Sequence, residues 1–214
     1  MNQRFSPKSL SSPPLTAEEL RVLEDVRPFR VREKIIGSLQ TNFDDLRCRL
    51  VGHLQHGSYL APPGVDYVHG KLGQGEHLDG LPYLFVDMPR FITPESYFTY
   101  RTLFWWGDGI TFSFILSGPH LPEYRQRLME SLPILDALEV YVSVGENPWE
   151  WQRDRGSMIR AEPRNANRLS RALRGQSYLK CSRFLGFGEA EFREGRVDDV
   201  GLYTFRAFEP LVLA

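Results

Sequence analysis

The sequence predicts an α+β domain with helices packed on one face of a mainly antiparallel sheet, N-terminal helices and a C-terminal helix. Three observations carry this. Apolar residues recur at helical steps over 35–54, residues 66–117 are dense in aromatic and β-branched side chains broken by short turns, and helical spacing returns after Pro119 and again near the end. Strands joined by short loops pair antiparallel, so the sheet starts as a meander rather than as crossover units.

Residues 1–14 are polar and rich in Ser and Pro and read as a flexible N-terminal tail, with residues 15–214 as one domain. Thr16 with Glu19 three residues on is a capping box, and Leu15 can staple onto Leu20. That helix should stop by Pro28. Ile36, Leu39, Phe43, Leu46 and Leu50, widened by Ile35 and Leu54, predict a longer helix to about Gln55. Pro62 and Pro63 mark a connector over 59–64. Strands are expected at 66–72, 82–88, 97–106 and 110–117, the last two a hairpin closed by Gly107-Asp108-Gly109. Tyr124, Leu128 and Leu132 predict a helix ending at Pro133, and the alternation of Leu138, Val140, Val142 and Val144 predicts a strand over 138–144. A loop carrying Trp149 and Trp151 follows, then a helix over 166–173 capped by Asn165, a strand over 178–187, a charged connector over 188–195 and a terminal helix over 200–212.

The composition bounds function only broadly. Of 214 residues, 42% are hydrophobic and 25% charged, values of a soluble globular chain, and no run approaches the ~18 apolar residues of a membrane-crossing helix, so no membrane partner is expected. With 26 Lys and Arg against 27 Asp and Glu, the chain has no bulk preference for nucleic acid or an anionic surface. Cys48 and Cys181 form no metal-spaced pair and read as reduced thiols, which points to the cytoplasm.

Three clusters are candidate sites. Asp87 and Arg101 interrupt strands of aromatic and aliphatic residues, where a charge must be paired or sit at an opening. One reading is an internal ion pair that fixes strand register. The other adds Tyr83, Arg90, Trp105 and Trp106, an aromatic-walled pocket in which a guanidinium holds a small anionic ligand. Second, His53, His56, His69 and His77 fall within 25 residues, and His53 and His56 share a helix side, so together they could hold a metal for a metal-dependent enzyme. His53 also continues the apolar stripe after Leu46 and Leu50, which suits a hydrogen-bonded histidine at the core edge. Third, residues 153–183 carry nine basic side chains against two acidic ones, with Arg164, Arg168 and Arg171 on one helix face. Such a stripe can bind nucleic acid or another anionic partner, unless the acidic segment 189–199 folds against it. The balanced overall charge favours the covered face and makes nucleic acid a partner to be tested. Paired carboxylates at Asp87 and Asp108 and the Gly73-Gln74-Gly75 run carry no reaction signature. The expected function is a non-catalytic binding domain. Reaction, cofactor and oligomeric state are open.

The run Gly80-Leu81-Pro82-Tyr83, then Asp87 and Pro89-Arg90, then Arg101-Thr102-Leu103-Phe104-Trp105-Trp106-Gly107 resembles the central motif of a family of bacterial proteins of uncharacterised function. The layout also resembles the YktB-like family of bacterial α+β proteins. That second likeness rests on an opening Leu-Thr-x-Glu-Glu, a late strand over 178–187 and a terminal segment Thr204-Phe205-Arg206-Ala207-Phe208-Glu209-Pro210-Leu211-Val212. The resemblance implies an α+β fold and assigns no activity.

Overall fold

The computed structural model describes residues 14–152 and 156–214, so the expected tail lies outside the described residues except for Pro14. The chain divides into two compact units, Met1–Gly37 and Ser38–Ala214. In the first, α1 (Ala17–Glu24) opens with the expected capping box, the Thr16 hydroxyl accepting the Glu19 N–H and the Glu19 carboxylate accepting the Thr16 N–H. Leu15 and Leu20, expected to staple this entry, are instead 55% and 48% exposed. The next helix, α2 (Arg27–Leu54), begins where the Asp25 carboxylate accepts the Arg27 N–H, and Pro28 falls in its first turn, where a missing amide costs nothing.

The second unit is built on one antiparallel sheet. Among the described residues its strands are β1 (Lys71–Leu78), β2 (Leu81–Ile92), β3 (Tyr97–Trp105), β4 (Gly109–Ser117), β5 (Tyr141–Ser143), β6 (Met158–Arg160) and β7 (Tyr178–Leu185), in the order β1-β2-β3-β4-β7-β5-β6. The meander therefore holds through β4, after which β7 takes the neighbouring place. Around it lie α3 (Leu121–Ala137), α4 (Ala166–Leu173), α5 (Ala190–Arg193) and α6 (Val197–Phe208).

Helices cover one face. Phe98, Tyr100, Phe112 and Phe114 point to it, with Tyr100 and Phe114 edge-on or tilted against Phe205, Tyr100 against Phe208, and Phe98 against Tyr124. Leu39, Phe43, Leu46, Leu50 and Leu54 of α2 are buried, as their spacing predicts.

Local chemistry explains the shifted boundaries. The first strand starts at Lys71 rather than 66 because the Asp66 carboxylate accepts the N–H groups of Val68, His69 and Gly70, folding 66–70 into a turn. Gly73 and Gly75 then belong to the strand. A Cβ at either would lie 2.5–2.6 Å from the rings of Phe85 and Tyr83, which rest across them on β2. Helix α3 continues through Pro133 to Ala137, since Leu132 and Leu135 are buried on its core stripe and their packing outweighs one lost backbone bond. The next strand shrinks to β5 because Glu139, in the left-handed region, and Val140 return their N–H groups to the helix end. Asn165 makes no cap on α4. Its amide donates backward to the Arg160 carbonyl and the Glu162 carboxylate. The terminal helix runs earlier than expected, ending at Phe208 before a 3-10 turn that contains Pro210.

Candidate functional site

The sheet face away from the helices is where side-chain chemistry gathers. Strand alternation places Tyr83, Phe85 and Asp87 of β2 beside Trp105, Leu103 and Arg101 of β3 on this face. Strand register extends the row across the sheet, Asp87 to Arg101, Ser113, Ser182 and Tyr141. Polar groups at such depth must be satisfied, and they are. Arg101 Nε and an Nη donate to the two Asp87 carboxylate oxygens at 2.6 and 2.7 Å, and the Ser113 and Ser182 hydroxyls are 2.8 Å apart. Asp87 is fully buried, so this fork is its counter-charge. The internal ion pair read from the sequence is thus present, joining neighbouring strands in register.

A segment between β5 and β6 crosses above this row. Tyr178 donates its hydroxyl proton, and Gln176 an amide proton, to the Gly145 carbonyl, and Lys180 Nζ donates to the Glu150 carbonyl at 2.6 Å. Positions 178, 180 and 182 alternate toward this face, so β7 serves as the anchor rail for the segment. Trp149 and Trp151 descend from it. The Arg101 guanidinium lies 4.3 Å from the Phe85 ring centroid, 4.8 Å from that of Trp149 and 5.8 Å from that of Trp151, and the Lys180 ammonium is 3.6 Å from Trp151. Tyr97 packs edge-on against Trp149, and the Trp105 indole donates to the Leu78 carbonyl at 3.0 Å. Burial, with the Arg101 charge nearby, lowers Lys180 to about 7, against the opposing pull of Glu150.

Beside this cluster opens a cleft of about 140 Å3 walled by Trp105, Trp149 and Trp151, with Asp79, Glu150 and Gln152 at its polar side. Gln152 donates to the Asp79 carboxylate, tying the segment to the β1–β2 turn. Trp105 and Trp151 are buried and Trp149 half-buried, so the cleft has firm walls.

The structure brings together only part of each sequence-derived set. Tyr83, Asp87, Arg101 and Trp105 share the face. Trp106 does not, because alternation sends its ring to the helix side, edge-on to Phe104. Arg90 lies past the register shift between Asp87 and Arg90, its backbone bridged to Asp66. Trp149 and Trp151 complete the Arg101 cluster in place of Trp106 and Arg90. The fork of Arg101 is filled by Asp87 and is not open to an anionic ligand. Lys180 is legible in the sequence as a charge flanked by Leu179 and Cys181, in a strand that also carries Arg183.

The histidines do not converge. His53 is hydrogen-bonded to Glu209 at 2.9 Å, which also accepts from Tyr59, and its ring stands edge-on to Phe205. This is the core-edge histidine. His69 is 3.5 Å from the Asp66 carboxylate and largely exposed, and His56 and His77 are exposed on other elements. Among the described residues no group of three or more His, Cys, Asp or Glu side chains is placed to hold a metal ion.

Within the basic segment, Arg153 and Arg155 lie outside the described residues. Arg164, Arg168 and Arg171 are exposed. The acidic segment does not fold over them: Asp198 and Asp199 pair with Arg49, and Glu194 pairs with Arg196. Arg164 pairs with its neighbour Glu162 at 2.6 Å.

No family model, no curated protein and no solved structure matches the chain. No helix among the described residues is long and apolar enough to cross a membrane.

Proposed function

We propose that the protein is a non-catalytic binding domain that takes a small ligand in the cleft walled by Trp105, Trp149 and Trp151. One observation carries this: three tryptophans line a concave site above a sheet face whose Asp87 and Arg101 are paired and whose Lys180 is hydrogen-bonded to the Glu150 carbonyl. Ligand sites are concave and mainly apolar, with a few polar groups that orient the ligand. The volume, about 140 Å3, limits the occupant to a fragment-sized molecule or one group of a larger partner, well below the roughly 300 Å3 at which drug-sized pockets begin. Against catalysis stands the engagement of the nearby ionisable groups: both Asp87 oxygens are held by Arg101, and Lys180 is sealed under Trp151. Both cysteines are free, which supports a reducing, cytoplasmic setting. The likeness to bacterial families of uncharacterised function adds no activity to this proposal.

Native mass spectrometry of freshly purified protein tests it. A retained small mass, lost in Trp149→Ala, is the expected result. A retained mass unaffected by Trp149→Ala places the ligand elsewhere and defeats the cleft.

The uncovered Arg164, Arg168 and Arg171 support a second reading, binding of nucleic acid or another anionic partner. Counterion release from phosphates would make that affinity fall steeply with salt.

A further inference from the structure

We propose that the tryptophan cleft is a receptor for a compact organic cation, an alkylammonium group either free or at the end of a larger ligand. This rests on the cleft being the ligand site and adds the ligand's chemical class.

The walls supply the first argument. An indole ring is the best aromatic surface for a cation, and three tryptophans line the cleft. The neighbourhood already uses this chemistry twice, with Arg101 over Phe85 and Trp149 and Lys180 over Trp151. Charge supplies the second. Among the described residues, the ionisable ones lining the cleft, Asp79 and Glu150, are both acidic. The two cations beneath are not offered to a ligand, since Arg101 donates to Asp87 and Lys180 to the Glu150 carbonyl. Among the described residues, an anion would meet two acidic residues and no available donor cation. An ammonium ion would meet indole rings and two acidic residues. Size is the third. A void of roughly 150 Å3 accepts a molecule as large as benzene, and about 140 Å3 suits a methylated ammonium head in the same way.

The test is a titration followed by tryptophan fluorescence and by ligand-detected NMR, using tetramethylammonium, its soluble neutral analogue neopentyl alcohol, and acetate. A probe of so few atoms binds weakly, so all three are carried to high millimolar concentration at constant ionic strength. Saturable tetramethylammonium binding is expected, with neopentyl alcohol at least fivefold weaker and acetate silent. Asp79→Asn should weaken tetramethylammonium at least threefold while leaving the alcohol unchanged. That variant suits the site, because position 79 has φ 51° and asparagine tolerates the left-handed region. Trp149→Ala should abolish both signals. Equal binding of the alcohol, or preferential binding of acetate, overturns the cation assignment and keeps the cleft as a ligand site. Silence from all three probes, with no mass retained in native spectrometry, overturns both.

Discussion

Asp87 and Arg101 show how one buried charge imposes its partner. Asp87 is fully buried and Arg101 is shielded by Phe85 and Trp149, so removing the guanidinium alone leaves an uncompensated carboxylate at an expected cost of about 3–5 kcal/mol. Arg101→Met should lose that much in urea unfolding, and adding Asp87→Asn should restore part of it. A double variant no more stable than the single one would mean the pair is not the main term. Lys180 makes the opposite statement. Its pKa is lowered to about 7 in the native state, against an ordinary value of 10.5. Between those values the unfolded chain binds more protons than the native one, so native stability rises with pH from about 7 to 10.5, and the full burden of a buried ammonium is carried below 7. The stability difference between the wild type and Lys180→Met should therefore move in favour of the wild type across that window. A pH-independent difference would show that Lys180 stays charged throughout. Cys181, beside it, is fully buried with its thiol pushed up to about 12, while Cys48 is exposed. Native protein should take up one equivalent of a thiol reagent and denatured protein two.

Elements were readable in the sequence where a local rule and the packing agreed. The 107–109 hairpin is the clearest case: Gly107 and Gly109 both adopt positive φ, and a Cβ on Gly109 would sit 2.6 Å from the Leu185 carbonyl oxygen. Gly109→Ala should cost about 1–3 kcal/mol of stability, measurable as a lowered Tm, whereas Gly80→Ala meets no neighbour and should cost less even though its φ is also positive. Helix α4 is equally clear, with Leu169 and Leu173 buried at a four-residue step. Packing overrode local rules elsewhere. Pro133 does not stop α3, and the Asp66 turn displaces a strand that composition alone would start earlier. The site was half legible for the same reason. A period of two shows that Asp87 and Arg101 can face one way. It cannot show that a loop 48 to 50 residues beyond Arg101 lays Trp149 and Trp151 over them, because that placement depends on Gln176, Tyr178 and Lys180 hydrogen-bonding to loop carbonyls. The same period, applied strictly, separates Trp106 from Trp105.

At the scale of the whole chain, charge is balanced but unevenly placed. The acidic residues Asp198 and Asp199 are engaged with Arg49, leaving Arg164, Arg168 and Arg171 exposed on and beside α4. If these three form an anion-binding stripe, wild-type protein is retained on heparin and eluted by modest salt, and replacing all three with Ser abolishes retention with stability shifted by less than about 0.5 kcal/mol. Flow-through of the wild type at low salt removes the stripe as a binding surface. The cleft is tested most directly by the chain's four tryptophans, three lining the cleft and Trp106 on the helix side. Indole N–H NMR signals recorded while a panel of small cations, anions and neutral fragments is added should show Trp105, Trp149 and Trp151 shifting with any bound compound and Trp106 unmoved. Binding that shifts Trp106 alone, or that shifts none of the four, contradicts the cleft as the functional site.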